Sequence, residues 1–152
     1  MADILQVAER LSKMNRTDIE RVLIRILDMS STQKFIINLN TRVQLFRQGE
    51  NSLGVKLSDV GGEYTTSTKL AKKKKGQPTN RVTLYDTGDF YDSFTVEPTN
   101  SADFIIDSDP MKGSYDLFSR WGEDVEGLNE ENMQLVLDYL EAKFWAVIFR
   151  GL

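Results

Sequence analysis

The chain has no cysteine and no histidine among its 152 residues. Without cysteine there is no disulfide, no thiolate nucleophile and no cysteine-built zinc site. Without histidine there is no Ser-His-Asp or Cys-His arrangement. Histidine is also the usual proton shuttle near neutral pH, so catalysis would fall to carboxylates, Lys, Tyr or Ser. These absences favour a binding or structural role over an enzyme. A third lack is a long apolar run: none approaches the roughly 18 residues a membrane span needs. Positive charge is not in excess either. The formal net charge of -4 is not that of a general nucleic-acid binder. Asp3 comes early and no basic-then-apolar layout surrounds it, so a cleaved secretion signal is not expected. The phosphate-binding loop ending in Gly-Lys-Ser/Thr and the dinucleotide glycine fingerprint are both absent.

What remains is an ordinary globular composition, 40% hydrophobic and 28% charged. The length suits one domain spanning 1–152. A domain of that size typically buries roughly 70% of its unfolded surface, enough for a real core.

The chain is organised around Arg81 to Pro98. Val82, Leu84 and Tyr85 predict an extended segment. Asp86-Thr87-Gly88-Asp89 stops it, with Asp86 or Thr87 available to cap a short helix and Gly88 supplying a sharp turn. Phe90 and Phe94 are four apart and share a face across one helical turn. From Phe94 the period changes to two, with Phe94 and Val96 on one side and Thr95 and Glu97 on the other. Pro98 to Ser101 is turn chemistry, and Ala102 to Asp107 predicts a returning strand.

On the N-terminal side, Ile4, Val7, Ala8 and Leu11 predict a helix over residues 3–14, broken at Asn15-Arg16. Thr17 and Glu20 have capping-box spacing for a second helix. The stripes Ile19, Val22, Leu23, Ile26, Leu27 and Phe35, Ile36, Leu39, Val43, Phe46 predict one bent or two joined helices over 17–47. Gly49 to Gly62 reads as loop and possible strand. Residues 61–80, with four consecutive lysines at 72–75, predict a flexible basic loop. It serves either as a solvated loop or as an electrostatic contact for DNA or an acidic partner through Lys69, Lys72, Lys73, Lys74 and Lys75. Towards the C-terminus, Tyr115, Leu117, Phe118 and Trp121 predict a short packed segment ending at Gly122. Asn129 caps a last helix whose buried stripe is Met133, Val136, Leu137, Leu140, Phe144, Val147 and Ile148. Trp145 and Phe149 widen that stripe, for core packing or for cover by another chain. The expected fold is therefore α+β: N-terminal helices, a small mostly antiparallel sheet, a long basic loop and a C-terminal amphipathic helix.

The most suggestive polar cluster is acidic, with Asp86, Asp89 and Asp92 followed by Asp103, Asp107 and Asp109. Oxygen ligation of a divalent cation, and a metal-dependent hydrolase built on it, is one reading. The spacing matches no calcium loop, and turn and cap duty accounts for most of these residues. No metal and no cofactor is expected.

Asp-Thr-Gly-Asp-Phe-Tyr-Asp-Ser-Phe resembles the signature of phage tail-completion, or head–tail joining, proteins, carried here by Thr87, Gly88, Phe90, Ser93 and Phe94. Other pieces follow in the family's order: Gln44-Leu45-Phe46, Gly49, Gly54, Tyr64, Thr68 and Lys69 upstream, then Lys75 to Pro78. Downstream come Tyr115 to Trp121-Gly122 and Gly127-Leu128-Asn129-Glu130. The resemblance spans about residues 35–140; Asp124-Val125-Glu126 departs from the Pro and aromatic usual there. It implies a small non-enzymatic α+β protein of the virion neck or tail, assembled in the bacterial cytoplasm. It also implies a ring, often of six copies, that meets connector and tail-tube or terminator proteins, with the lysines facing channel DNA or an acidic partner. A nucleic-acid-binding module using Lys72–Lys75 is the alternative.

Overall fold

The computed structural model describes residues 4–150; Asp3, which the sequence placed in the first helix, lies outside them. Helix α1 (Ile4–Lys13) is followed by α2 (Arg16–Leu27). The cap of α2 lies two residues earlier than the Thr17–Glu20 spacing suggested. The Asn15 side chain accepts from Asp18 N–H (2.9 Å) while the Asp18 carboxylate accepts from Asn15 N–H (3.0 Å). Thr17 is thus inside the helix. With the helix begun at Arg16, Ile19 N–H already donates to Asn15 C=O at 3.1 Å, which takes up an N–H that a Thr17 cap would have served.

Helix α3 (Ser30–Asn38) restarts at the serine pair and runs on as a π-helical segment, Leu39–Gln48. The Thr41 hydroxyl donates to Ile37 C=O at 2.8 Å, and such back-bonding competes with the regular helical ladder. The wider turn places Asn40, Gln44 and Gln48 on one face. Gly49 ends the segment with φ 64°, and a Cβ there would lie 3.1 Å from Val82 O. Only glycine takes that backbone angle at so close an approach without strain.

The basic stretch is a correction to the expected loop. Residues 66–74 form α5 (Thr66–Lys74), after the short α4 (Leu57–Gly61). Thr65 caps α5 by accepting from Thr68 N–H at 3.3 Å. Lysine is a good helix former, and lysines in a last turn complement the negative end of the helix dipole. Composition alone does not separate that case from a solvated loop.

The expected strand at 82–85 does not pair. Leu84 has φ 56°, which a strand does not allow. Thr83 and Leu84 N–H both donate to the Tyr64 hydroxyl, at 3.1 and 3.0 Å, in place of a ladder. After α6 (Asp89–Asp92), β1 (Thr95–Pro98) pairs antiparallel with β2 (Phe104–Asp107), Val96 opposite Ile106. The period-two reading of Thr95 to Glu97 holds, with Val96 buried between exposed neighbours. A second hairpin, β3 (Met111–Lys112) with β4 (Tyr115–Asp116), was not foreseen; two residues per strand carry no periodic signal. Then come α7 (Leu117–Trp121), a 3₁₀ turn over Glu123–Val125, and α8 (Glu130–Arg150).

Two apolar clusters hold these elements. One gathers Leu45, Leu57, Val82, Leu84, Tyr91, Phe94, Trp121 and Val125. The other gathers Leu27, Ile36, Leu39, Val96, Leu128 and Val136. Ile37 and Ile106 pack against both, so the β1–β2 hairpin and α3 join them. The stripe expected on α8 is narrower than drawn. Val136 and Ile148 are buried, whereas Leu137 is 51% exposed and Trp145 and Phe149 are about 40% exposed.

Candidate functional site

Two sites grow out of the positions singled out above. The first is a cleft of about 660 Å³ between α5, the Thr87-Gly88 turn, the β3–β4 hairpin and α7. Its walls include Tyr64, Tyr85, Phe90, Tyr115 and Trp121 among charged side chains such as Lys72, Asp86 and Arg120. Thr87, Gly88 and Phe90 of the TG motif line it together with Lys72 and Lys75. The fold thus unites two features that the sequence offered separately.

Gly88 has φ 97° and precedes α6; any Cβ there would also touch the Tyr85 hydroxyl at 3.4 Å and its ring at 3.5 Å. Neither Asp86 nor Thr87 is the cap of α6, although Thr87 Oγ1 accepts from Asp89 N–H at 3.4 Å. Phe90 and Phe94 do share a face, with ring centroids 5.1 Å apart. Ser93 donates to Phe90 C=O (2.6 Å) and accepts from Asp109 N–H (3.0 Å). That pair of bonds ties the TG turn to the chain leaving β2.

Asp86 has another duty. Its carboxylate accepts from Lys75, which caps the end of α5, and from Lys112 on β3, and all three residues line the cleft. The hydrogen bond from Lys112, then that from Lys75, pulls its pKa from 3.8 down to about 2. Lys72 is buried; its ammonium donates to Tyr85 C=O and sits 4.7 Å from the Tyr64 ring centroid. Arg120 lies over Trp121 and donates to Gly61 C=O at 2.7 Å. Lys69 pairs with Glu63, while Lys73 and Lys74 point to solvent. Of the five lysines named from sequence, then, two belong to the cleft and three to the outer side of α5. Burial pushes the Tyr91 phenol well up, so it stays a neutral donor to Thr83 C=O. Asp86, Asp89 and Asp92 do not converge. Among the described residues there is no group of three or more acidic side chains placed to hold a metal ion.

The second site explains the remaining motif residues. Gly127 and Leu128 sit where α8 begins, against the π-helical segment. Gln44, fully buried, donates to Gly127 C=O (2.8 Å) and accepts from Asn129 N–H (2.7 Å). Asn40 donates to Val125 C=O and accepts from Gly127 N–H, at 2.9 and 2.8 Å. Asn129 caps α8 as expected, accepting from Asn132 N–H at 2.9 Å. This buried amide lattice holds the connection around Val125 by side-chain-to-backbone bonds. Gly122, with φ 81°, ends α7 beside Trp121. Ser93, Phe94, Gly122, Gly127 and Leu128 are therefore framework positions rather than cleft walls.

Lys112 and Arg120 were missed as site residues. A lone basic residue in a short hairpin or helix has no sequence signature, and only its partner's position reveals it.

No family model, no curated protein and no solved structure matches the chain.

Proposed function

We propose that this protein is a non-enzymatic structural subunit of a tailed phage, acting in the neck as a tail-completion or head–tail joining protein. Copies of the chain would form a ring, and the ring would meet connector and tail-tube or terminator proteins. The reading comes from the ordered motifs around Thr87-Gly88 and Gly127-Leu128. The observation that carries it furthest is the outer side of α8. Leu135, Leu137, Trp145 and Phe149 are each at least 40% exposed on one 21-residue helix. Trp145 and Phe149 lie side by side, with ring centroids 6.5 Å apart, and contiguous exposed apolar surface favours cover by another chain. The two hairpins add to this, since each is a two-stranded sheet whose outer edges are unpaired among the described residues.

The nucleic-acid alternative rests on fewer cations than the lysine run suggested. Lys72 is buried and Lys75 is paired with Asp86.

Two measurements test the reading: sedimentation velocity over a concentration series, and electron microscopy of intact particles. The expected results are concentration-dependent closed oligomers and density for this chain at the neck. A protein that stays monomeric at every concentration and binds no virion component overturns it.

A further inference from the structure

The ring reading leaves open which faces meet, and two helices answer it. On α5, Leu70 is 58% exposed, with Lys69 beside it and Lys73 and Lys74 three and four residues on. Residues three and four apart are neighbours on a helix, so an apolar spot stands among cations. Lys73 and Lys74 enter no ion pair among the described residues. On α8, Leu137 is exposed, with Asp138 beside it and Glu141 four residues on. From Glu130 through Ala142 the helix carries acids and no base; Lys143 and Arg150 come only in its last two turns. The two faces have opposite charge and the same plan, one exposed leucine within a charged arc.

They are not partners within one chain. Helix α8 lies on α1, α2 and the π-helical segment. Helix α5 lies against Tyr85 and Asp86, held there by Lys72 and by Lys75 at its C-terminal cap. The lysines and the acids therefore neutralise each other only between molecules. A contact between two different faces of identical chains is head-to-tail, and such contacts close into a ring when the rotation from one copy to the next closes, as the neck-ring reading requires.

We infer that the α5 face of one copy (Leu70, Lys73, Lys74) docks on the α8 face of the next (Leu137, Asp138, Glu141). This rests on the neck-ring reading and names its subunit contact. Leu70 against Leu137 supplies apolar burial, and the charges set partner, register and encounter rate. Self-association is then salt-sensitive, because exposed charges are screened within about 8–10 Å at ordinary ionic strength.

The test is charge reversal in the full chain, followed by sedimentation velocity, with far-UV circular dichroism to verify folding. K73E/K74E alone and D138K/E141K alone are each expected to weaken self-association by about tenfold or more, since like charges then face each other. An equimolar mixture of the two variants restores it, because every contact again joins opposite charges. The fourfold variant, reversed on both faces of one chain, restores it as well. Assembly unchanged by either reversal, or not rescued in the mixture, overturns the contact while leaving the neck reading standing. A wild-type chain that never associates overturns the contact, and one that in addition binds no virion component overturns the neck reading as well. A fluorescent DNA duplex run alongside separates the other use of these lysines. K73E/K74E losing DNA affinity without losing assembly assigns the face to nucleic acid and overturns the inference.

Discussion

Gln44→Leu tests the packing argument most sharply. Gln44 has no exposed surface and makes two main-chain hydrogen bonds, to Gly127 C=O at 2.8 Å and from Asn129 N–H at 2.7 Å. It also accepts a longer bond from Asn132 Nδ2, which Gln48 Oε1 serves as well, at 3.1 Å. Leucine nearly keeps the volume, so little cavity opens. What is lost is the partner of one half-buried carbonyl and one buried N–H. Each unsatisfied buried group costs about 1–3 kcal/mol. The expected loss is therefore about 2–6 kcal/mol, a large part of a domain's typical 5–15 kcal/mol. Urea unfolding reads it as a lower midpoint at unchanged slope. The loss should also loosen the start of α8, so amide exchange at Asn129 and Asn132 should quicken more than at Val96. A loss below about 1 kcal/mol, or equal exchange at both places, refutes the claim that Gln44 locks the π-helical segment to α8.

Two further outcomes follow from particular contacts. A Cβ on Gly61 would lie 2.5 Å from Trp121 Cε3 and 2.8 Å from Arg120 C=O. Gly61→Ala should therefore destabilise by about 1–3 kcal/mol, as overpacking does, and shift tryptophan fluorescence; an unchanged melting temperature contradicts that geometry. Asp86 has its pKa lowered in the folded chain, so its contribution is present above 3.8 and is lost as pH falls towards about 2. Both lysine partners are about half exposed, and screening holds the effect to about 1 kcal/mol or less. Wild type should lose more stability than Asp86→Asn between pH 4 and 2; parallel pH profiles refute the clasp.

Much of the local structure was legible in the residues themselves. The helices near the N-terminus, the Asn129 cap, the Phe90–Phe94 pair and the alternation through Val96 all follow from spacing. In each, the partner lies within one turn or one strand step, where chain geometry alone brings residues together. Thr17 and Glu20 had the right spacing for a cap and lost to Asn15, because a helix begun two residues earlier already occupies Ile19 N–H with Asn15 C=O.

Other features depend on residues far apart in the chain. Lys72 turns inward because Tyr64 and the Tyr85 carbonyl receive it, so a lysine run became the helix wall of a cleft. Leu84 takes a left-handed angle while the Tyr64 hydroxyl collects the N–H groups that a strand would have shared. Asp86, read first as a cap or a metal ligand, became the joint between Lys75 and Lys112. Sequence by itself fixed where apolar and polar side chains recur, and so the α+β class. Tertiary structure decided which polar groups met. A hydrogen bond or ion pair between distant residues depends on positions within a few tenths of an ångström, and only the packed core sets those.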